Sequence, residues 1–290
     1  MEMLSDNDIL KLALYEDLQT GDITTDAVIS KNHQSIALLY AKEEGILCGQ
    51  NYFETVFSFF NDPFFSIEWY KKEGDYLQNK DKIASIKGLT GTILKGERTA
   101  LNILQHLSGI ASRTKKITEI LSRTQIKVLD TRKTLPLLRN MEKKAVKTGG
   151  GENHRFGLYD RFLIKENHIK AAGSIFKAVA ACAAARKQEL IEVETTTYQE
   201  VLEALETEAD IIMLDNMSFE EIEKCCLKIR NVSHKKIEVS GNMNEEKIKI
   251  LKNFKIDFIS MGALIHSVKA LDLSLLIESI ESGEEKNGRK

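Results

Sequence analysis

The chain has 290 residues, enough for one large α/β domain or two smaller ones. Apolar residues make up 42% and charged residues 29%, the balance of a globular protein with a full core. A formal net charge of −2 excludes nucleic-acid binding through a broad basic face, so any cationic site must be local. Cys48, Cys182, Cys225 and Cys226 lack CxxC spacing and read as packing residues in a reducing cytoplasm, not as a disulfide framework or a zinc site. The opening MEMLSDNDILKLALYEDL reads as an amphipathic helix, neither signal nor transit peptide. No apolar run approaches the ~18 residues of a membrane span.

After that helix, Thr20-Gly21-Asp22-Ile23-Thr24-Thr25 is a turn rich in capping residues. Residues 35–41 read as a strand, 49–61 as a helix loaded with phenylalanine, and 64–70 as a second strand. The turn Glu73-Gly74-Asp75 leads into weaker strands near 83–86 and 92–94. Strands and helices mix here without regular alternation, as in an α+β unit. Residues 97–122 then carry Leu101, Leu104, Ile110, Ile117, Ile120 and Leu121 at helical spacing. Ser108-Gly109 interrupts them, and a glycine inside a helix costs ~1 kcal/mol against alanine. The pair is expected to split the helix in two at the entry to a second domain.

From Lys127 the rhythm is regular. Apolar strand-like runs at 128–129, 162–164, 190–193, 211–214, 237–239 and 258–261 are mostly separated by helical segments at 174–188, 198–205, 219–229 and 245–253. Ser218-Phe219-Glu220-Glu221 carries the capping-box pattern of a helix start. This alternation predicts a parallel sheet covered by helices, and no Rossmann or Walker glycine pattern favours a nucleotide-type open sheet. Polar residues end the runs in turn: Asp130, Arg132 and Lys133; Lys165, Asn167 and His168; Glu194; Asp215 and Asn216; Ser240-Gly241-Asn242; Gly262 with His266. They share one mouth if the sheet closes into a barrel. With about six clear strands, the expectation is an incomplete α/β barrel, not a full eight-stranded one. A polar tail follows Ser282.

Arg132, Lys133, Arg155 and Lys165 all fall at or near predicted strand ends. Any one alone is an ordinary solvated loop charge. Together they argue for a pocket taking a small, multiply anionic substrate, with arginine forks for carboxylate or phosphate and lysines as point charges. Glu194 and Asp215 follow on the next two strands; a carboxylate pair beside a phosphate pocket suits Mg²⁺, while the bland alternative is that each caps a helix. His154 and His266 are placed to meet a ligand, His168 reads as structural, and the histidine spacing matches no metal motif. Ser240-Gly241-Asn242 and Met261-Gly262-Ala263 lead from strands towards helices, where backbone N–H groups commonly hold a phosphate. Gly149-Gly150-Gly151 alone signals only a turn. Nothing local marks Arg98, near the start of a long helix, as functional.

The motifs Glu97-Arg98-Thr99, Asp130-Thr131-Arg132-Lys133-Thr134, Gly149-Gly150-Gly151 with Asn153-His154-Arg155, Leu163-Ile164-Lys165 with Asn167-His168, Glu192-Val193-Glu194, Ser240-Gly241-Asn242 and Gly262-Ala263-Leu264 stand in this order. The set resembles the quinolinate phosphoribosyltransferase family over nearly the whole chain. The resemblance implies phosphoribosyl transfer from 5-phosphoribosyl 1-pyrophosphate to quinolinate with decarboxylation, Mg²⁺ being required, as a step of NAD synthesis. It implies an N-terminal α/β sandwich domain over residues 1–109, joined by a C-terminal helix at about 268–282, an incomplete barrel over 110–267, and a tail at 283–290. Arg132, His154, Arg155 and Lys165 would hold the two carboxylates, with Thr131 beside them. Lys133 would reach pyrophosphate or substrate, and Glu194 and Asp215 the ribose hydroxyls and the magnesium–pyrophosphate group. Ser240, Gly241, Asn242, Met261, Gly262 and Ala263, with His266 alongside, would hold the 5′-phosphate. Arg98 would reach the neighbouring subunit's site, implying a homodimer, with assembly into hexamers left open. Thr195-Thr196-Thr197 and Met261 depart from the usual pattern. The rival readings are nicotinate phosphoribosyltransferase, whose substrate has one carboxylate, and a molybdenum-transport-associated accessory protein.

Overall fold

The computed structural model describes residues 4–281; the tail expected at 283–290 lies outside them. Two compact units are present. The first takes the described residues up to Arg113, Pro136–Gly149 and those from Val268; the second takes Thr114–Leu135 and Gly150–Ser267.

The first unit begins with α1 (Asp6–Leu18), whose start is set by a reciprocal capping box between Ser5 and Asp8. Asp22 in the expected turn caps α2 (Ile23–Val28) by accepting from the Thr24 and Thr25 amides at 3.0 Å. Then come β1 (Gln34–Ala41), β2 (Gly45–Ile46), α3 (Gln50–Ser58), β3 (Ser66–Trp69), β4 (Tyr76–Leu77) and β5 (Lys82–Leu89). Strand β1 alternates buried and half-buried residues along its length, the period of a sheet with one covered face.

The long helix α4 (Thr90–Ile120) differs from expectation at two places. Residues 92–94 belong to it, not to a strand, because Ile93 shares the buried face of Ala100, Leu104, Leu107 and Ala111. Nor does Ser108-Gly109 break it. A Cβ on Gly109 would lie 2.3 Å from the Lys269 carbonyl oxygen, so the glycine is there for close backbone approach. Ser108 is spent locally, its hydroxyl accepting from the Cys48 amide at 3.0 Å.

The second unit carries β6 (Lys127–Leu129), and α5 (Arg139–Thr148) returns to the first. Then follow β7 (Phe162–Ile164), α6 (Glu166–Ala172), α7 (Ile175–Ala185), β8 (Ile191–Thr195), α8 (Tyr198–Leu205), β9 (Ile211–Asp215), α9 (Phe219–Val232), β10 (Lys236–Ser240), α10 (Glu245–Leu251) and β11 (Phe258–Ser260). The strands form one parallel sheet ordered β6-β11-β10-β9-β8-β7, with β6 and β7 as unjoined edges: the incomplete barrel. Thr197 caps α8 through a box with Glu200, and Ser218 caps α9 through a box with Glu221. The unusual threonines are thereby accounted for, since Thr195 also donates to the Met213 carbonyl at 2.8 Å.

The chain ends its described part in β12 (Leu273–Glu281), a strand and not the expected helix. Leu271, Leu273 and Leu275 are buried and alternate with Asp272 and Ser274, a period of two. Strand β12 pairs antiparallel with β1, which pairs on its other side with β5, giving the four-stranded order β12-β1-β5-β3. An unpaired β1 would leave a row of backbone donors and acceptors open, and β12 satisfies them. Among the described residues no helix is long and apolar enough to cross a membrane. All four cysteines are free thiols.

Two stability predictions follow from these contacts. Replacing Gly109 by alanine should lower stability by about 1–3 kcal/mol, although alanine is the better helix former by ~1 kcal/mol; an unchanged urea midpoint would refute the close-approach reading. Asp257 accepts from Arg230 at 2.5 Å, from Lys236 at 2.9 Å and from the Ile237 amide at 2.8 Å. Burial raises its pKa, but those hydrogen bonds outweigh burial and hold the carboxyl below the usual range. Its stabilisation is complete above the unfolded-state pKa and is lost as pH falls through the lower folded-state value. Asp257→Asn should therefore cost about 1–3 kcal/mol at neutral pH and less in acid, so wild type and variant converge in denaturant titrations at low pH.

Candidate active site

A cavity of about 640 Å³ opens at the C-terminal ends of the parallel strands in the second unit. It collects Thr131, Arg132, Lys133, His154, Arg155, Lys165, Glu194, Asp215, Ser240, Gly241, Asn242, Met261, Gly262, Ala263 and His266, the residues singled out in this half of the sequence. Arg98 lies elsewhere, exposed on α4 in the first unit. His168 is also outside the cavity, and its Nδ1 accepts the Lys165 amide at 3.0 Å at the start of α6.

The cationic side is built from the end of β6. Asp130 is fully buried, and its carboxylate accepts from the His154 amide at 3.0 Å and from Asn153 Nδ2 at 2.5 Å. That ties the 153–155 turn to the strand end that carries Arg132. The Thr131 hydroxyl accepts the Lys133 amide at 3.1 Å, turning the backbone so that the cations fan out from the strand. Arg155 is 8% exposed and donates to the Arg161 carbonyl at 3.3 Å. Burial and then the Arg132 charge lower its pKa, so the guanidinium sits in a site that is dry and already close to another cation. Lys165, from the end of β7, reaches Glu194 on β8 at 2.7 Å.

His154 is placed differently from the expectation that it presents a donor to a ligand. Its Nδ1 accepts the Arg155 amide at 2.8 Å, and its Nε2 faces Glu192 at 3.1 Å and Glu238 at 3.5 Å. Both nitrogens thus meet protein groups, one of which, Glu238, itself lines the cavity. Glu192 also takes Arg161 at 3.3 Å.

On the opposite side the backbone is prepared for close approach. Gly241 has φ +102°, and a Cβ there would meet Asn216 Oδ1 at 2.3 Å, so only glycine fits. Asn242 continues the left-handed path at φ 42°. After β11, Gly262–Leu264 form a short 3-10 turn, and a Cβ on Gly262 would touch Lys133 at 3.0 Å and His266 at 3.1 Å. These turns bring backbone with little side-chain bulk to the cavity wall. Glu194 and Asp215 are not spent on capping, because Thr197 and Ser218 cap the following helices. Asp215 instead accepts from Asn216 Nδ2 at 2.7 Å.

Sequence reasoning missed Leu163, Met213, Met243, Glu238 and Ser260 as cavity residues. Glu238 and its neighbour Glu192 did leave a signal. Each is a charged residue inside an apolar strand run, Ile191-Glu192-Val193 and Ile237-Glu238-Val239, and a charge is almost never fully buried unless it is paired.

Comparison with known proteins agrees with this geometry. The family description "Quinolinate phosphoribosyl transferase, N-terminal domain" matches residues 22–108, and its C-terminal counterpart matches 110–276. A probable nicotinate-nucleotide pyrophosphorylase (carboxylating) of Bacillus subtilis is 42% identical over 273 residues, covering 93% of each chain. The crystal structure of NadC from Streptococcus pyogenes superposes with a TM-score of 0.88 at 43% identity, covering 94% of this chain and 96% of that one. Human nicotinic acid phosphoribosyltransferase, at 12% identity and a TM-score of 0.62, shares the fold alone. Both halves of the sequence and the sheet that positions the cavity thus lead to one assignment: the chain belongs to the quinolinate phosphoribosyl transferase family.

Proposed function

We propose that the chain transfers a phosphoribosyl group from 5-phosphoribosyl 1-pyrophosphate to the ring nitrogen of quinolinate, with loss of CO₂, giving nicotinate mononucleotide and pyrophosphate in NAD biosynthesis. One observation carries this reading: a single cavity sets Arg132, Lys133, Arg155 and Lys165 against glycine-containing backbone turns, with carboxylates between them. Arg132 and Arg155 take the substrate carboxylates by their forks, and Lys165 adds a point charge. His154 shapes the pocket beneath them, and Thr131 sets the turn that aims Lys133. Lys133, lying against Gly262, is directed to the pyrophosphate. Ser240, Gly241, Asn242, Met261, Gly262 and Ala263, with His266 beside them, receive the 5′-phosphate. Glu194 and Asp215 accept hydrogen bonds from the ribose hydroxyls.

The mechanism follows from where charge develops. As the bond from ribose carbon 1 to pyrophosphate breaks, positive charge builds on the sugar and negative charge on the leaving group. Lys133 is placed for the latter, and the Glu194 and Asp215 carboxylates for the former. Fixing the pyridine nitrogen against that carbon supplies the positioning contribution. Once the new bond forms, the ring nitrogen is cationic and serves as the electron sink for decarboxylation.

The residues present fit Mg²⁺. Two half-buried carboxylates on neighbouring strands face an open cavity, each already steadied by a donor at 2.7 Å. That suits an ion that keeps several waters and shares its remaining positions with phosphate oxygens. When bound with pyrophosphate it supplies charge neutralisation of the leaving group. Arg98, exposed and remote in sequence from the other cations, is read as completing the site of a second copy in a homodimer. A cytoplasmic location accords with the free thiols.

The direct test incubates the protein with quinolinate, phosphoribosyl pyrophosphate and Mg²⁺ and measures CO₂ and nicotinate mononucleotide. Product from nicotinate but none from quinolinate would sink the reading. Arg155→Ala should lower kcat/KM for quinolinate by about 10²-fold or more, as truncating a buried charge opposite an anion costs about 2–5 kcal/mol. The KM for phosphoribosyl pyrophosphate should change little. Chelating Mg²⁺ should abolish turnover and re-addition restore it; full activity in excess chelator would remove the ion from the scheme.

A further inference from the structure

The cavity floor holds a group that anion binding does not explain. Glu238, in the middle of β10, is 0% exposed, yet it lines the cavity. Neither of its carboxyl oxygens makes a hydrogen bond of full geometry, although the buried Ser260 hydroxyl and the Glu192 carboxylate lie close enough to act on it. Parallel pairing sets Glu238 level with Met213, which is itself level with Glu194, so its side chain shares their face. Around it stand His154, 3.5 Å from Oε1, and the buried Glu192; one donor atom from each of the three lies within 4.8 Å of the others. Two carboxyl groups this close in a dry site do not both ionise. His154 Nε2 at 3.1 Å and Arg161 at 3.3 Å both stand against Glu192, whereas Glu238 meets His154 only at 3.5 Å, so the cationic partners favour the negative charge on Glu192. Burial first and the Glu192 charge second hold Glu238 well above the carboxylate range, so the proton of the pair sits on Glu238.

The reaction proposed above, on which this inference rests, needs a proton at one defined atom. Loss of CO₂ leaves an electron pair on ring carbon 2, and the product carries hydrogen there. Arg132 and Arg155 do not give up protons, Lys133 lies against Gly262 and is directed to the pyrophosphate, Lys165 is paired with Glu194, and Asp215 accepts from Asn216. We propose that the Glu238 carboxyl is the acid that delivers the proton to carbon 2 as CO₂ departs. The bond from carbon 2 to the carboxylate breaks and its electron pair stays on carbon 2. The O–H bond of Glu238 then breaks, the proton forms the new C–H bond, and Glu238 is left as a carboxylate beside Glu192. Repulsion between the two drives return of a proton from water once product leaves. No oxidant or reductant is required.

The test is Glu238→Gln, which keeps the shape and an N–H donor but has no acid proton to give. In a single turnover, pyrophosphate release should stay near the wild-type rate while nicotinate mononucleotide formation falls by about 10²-fold, the usual contribution of a general acid. Glu238→Asp should recover part of that loss. Nicotinate mononucleotide formed by Glu238→Gln at the wild-type rate would overturn the proposal, and so would equal losses in both steps. Should the variants not fold, infrared difference spectra of the wild type decide: the carbonyl band of a buried protonated carboxyl must be present in the free enzyme and bleach during a turnover, and its absence overturns the proposal. Wild type that makes no nicotinate mononucleotide from quinolinate refutes the proposed reaction instead, so the two failures are told apart.

Discussion

An unclosed parallel sheet has two free edges, and the way one of them is covered determines much of the site. Strand β6 presents its outer edge with no strand beside it. The chain just after Gly150 occupies that edge: the Glu152 amide donates to the Val128 carbonyl at 2.8 Å, and the Asp130 amide donates to the Glu152 carbonyl at 3.2 Å. Buried edge groups must be paired, and this pairing stops the segment one residue short of Asn153-His154-Arg155. The Asp130 carboxylate then takes over from the backbone and fixes the turn. Covering an edge and delivering Arg155 to the cavity are therefore the same structural act.

Charge in the cavity is layered for a similar reason. Arg132, Lys133 and Lys165 stand exposed at the rim and Arg155 is buried, while the carboxyl groups of Glu192 and Glu238 lie fully buried, in a medium that penalises them. Arg161 and His154 join the two levels by facing Glu192. His154 makes this connection through Nε2, while its Nδ1 accepts the Arg155 amide. The substrate-facing positive charge comes from arginine and lysine side chains, while the buried carboxyl pair sits below them.

Much of the second unit was legible in the sequence because parallel buried strands are short apolar runs, and the first polar residue after each run falls at the mouth. That rule located Lys165, Glu194, Asp215 and Ser240 without any tertiary information, and the small residue after the last run located Gly262. It failed inside the strands: Glu238 and Ser260 face the cavity from buried positions, and only their mismatch with apolar neighbours hints at them. In the first unit, local rules misled where a distant backbone intervenes. Gly109 resembled a helix breaker because its use, the approach of the Lys269 carbonyl, lies far along the chain. The helix that the resemblance implies at about 268–282 is instead strand β12, as the alternation of Leu271, Leu273 and Leu275 suits; what decides the matter is the edge of β1, invisible to any local window.

The order of strands also explains how one cavity meets a ligand of mixed chemistry. From β6 across the sheet come the cations Arg132 and Lys133, then the backbone turns after β11 and β10, then the carboxylates of β9 and β8, and finally Lys165 after β7. The two cationic ends of that series are the two free edges. Between them in sequence runs the segment from Gly150 to Arg161, pairing with β6 at one end and leading into β7 at the other. A closed eight-stranded barrel would fill that gap with further strands and their ladders. Leaving it open lets an irregular segment place a buried guanidinium between the edge cations, which a regular strand, with its side chains committed to alternate faces, is poorly suited to do. Incomplete closure is thus the feature of the fold that brings the positive charge of three separate chain segments to one place.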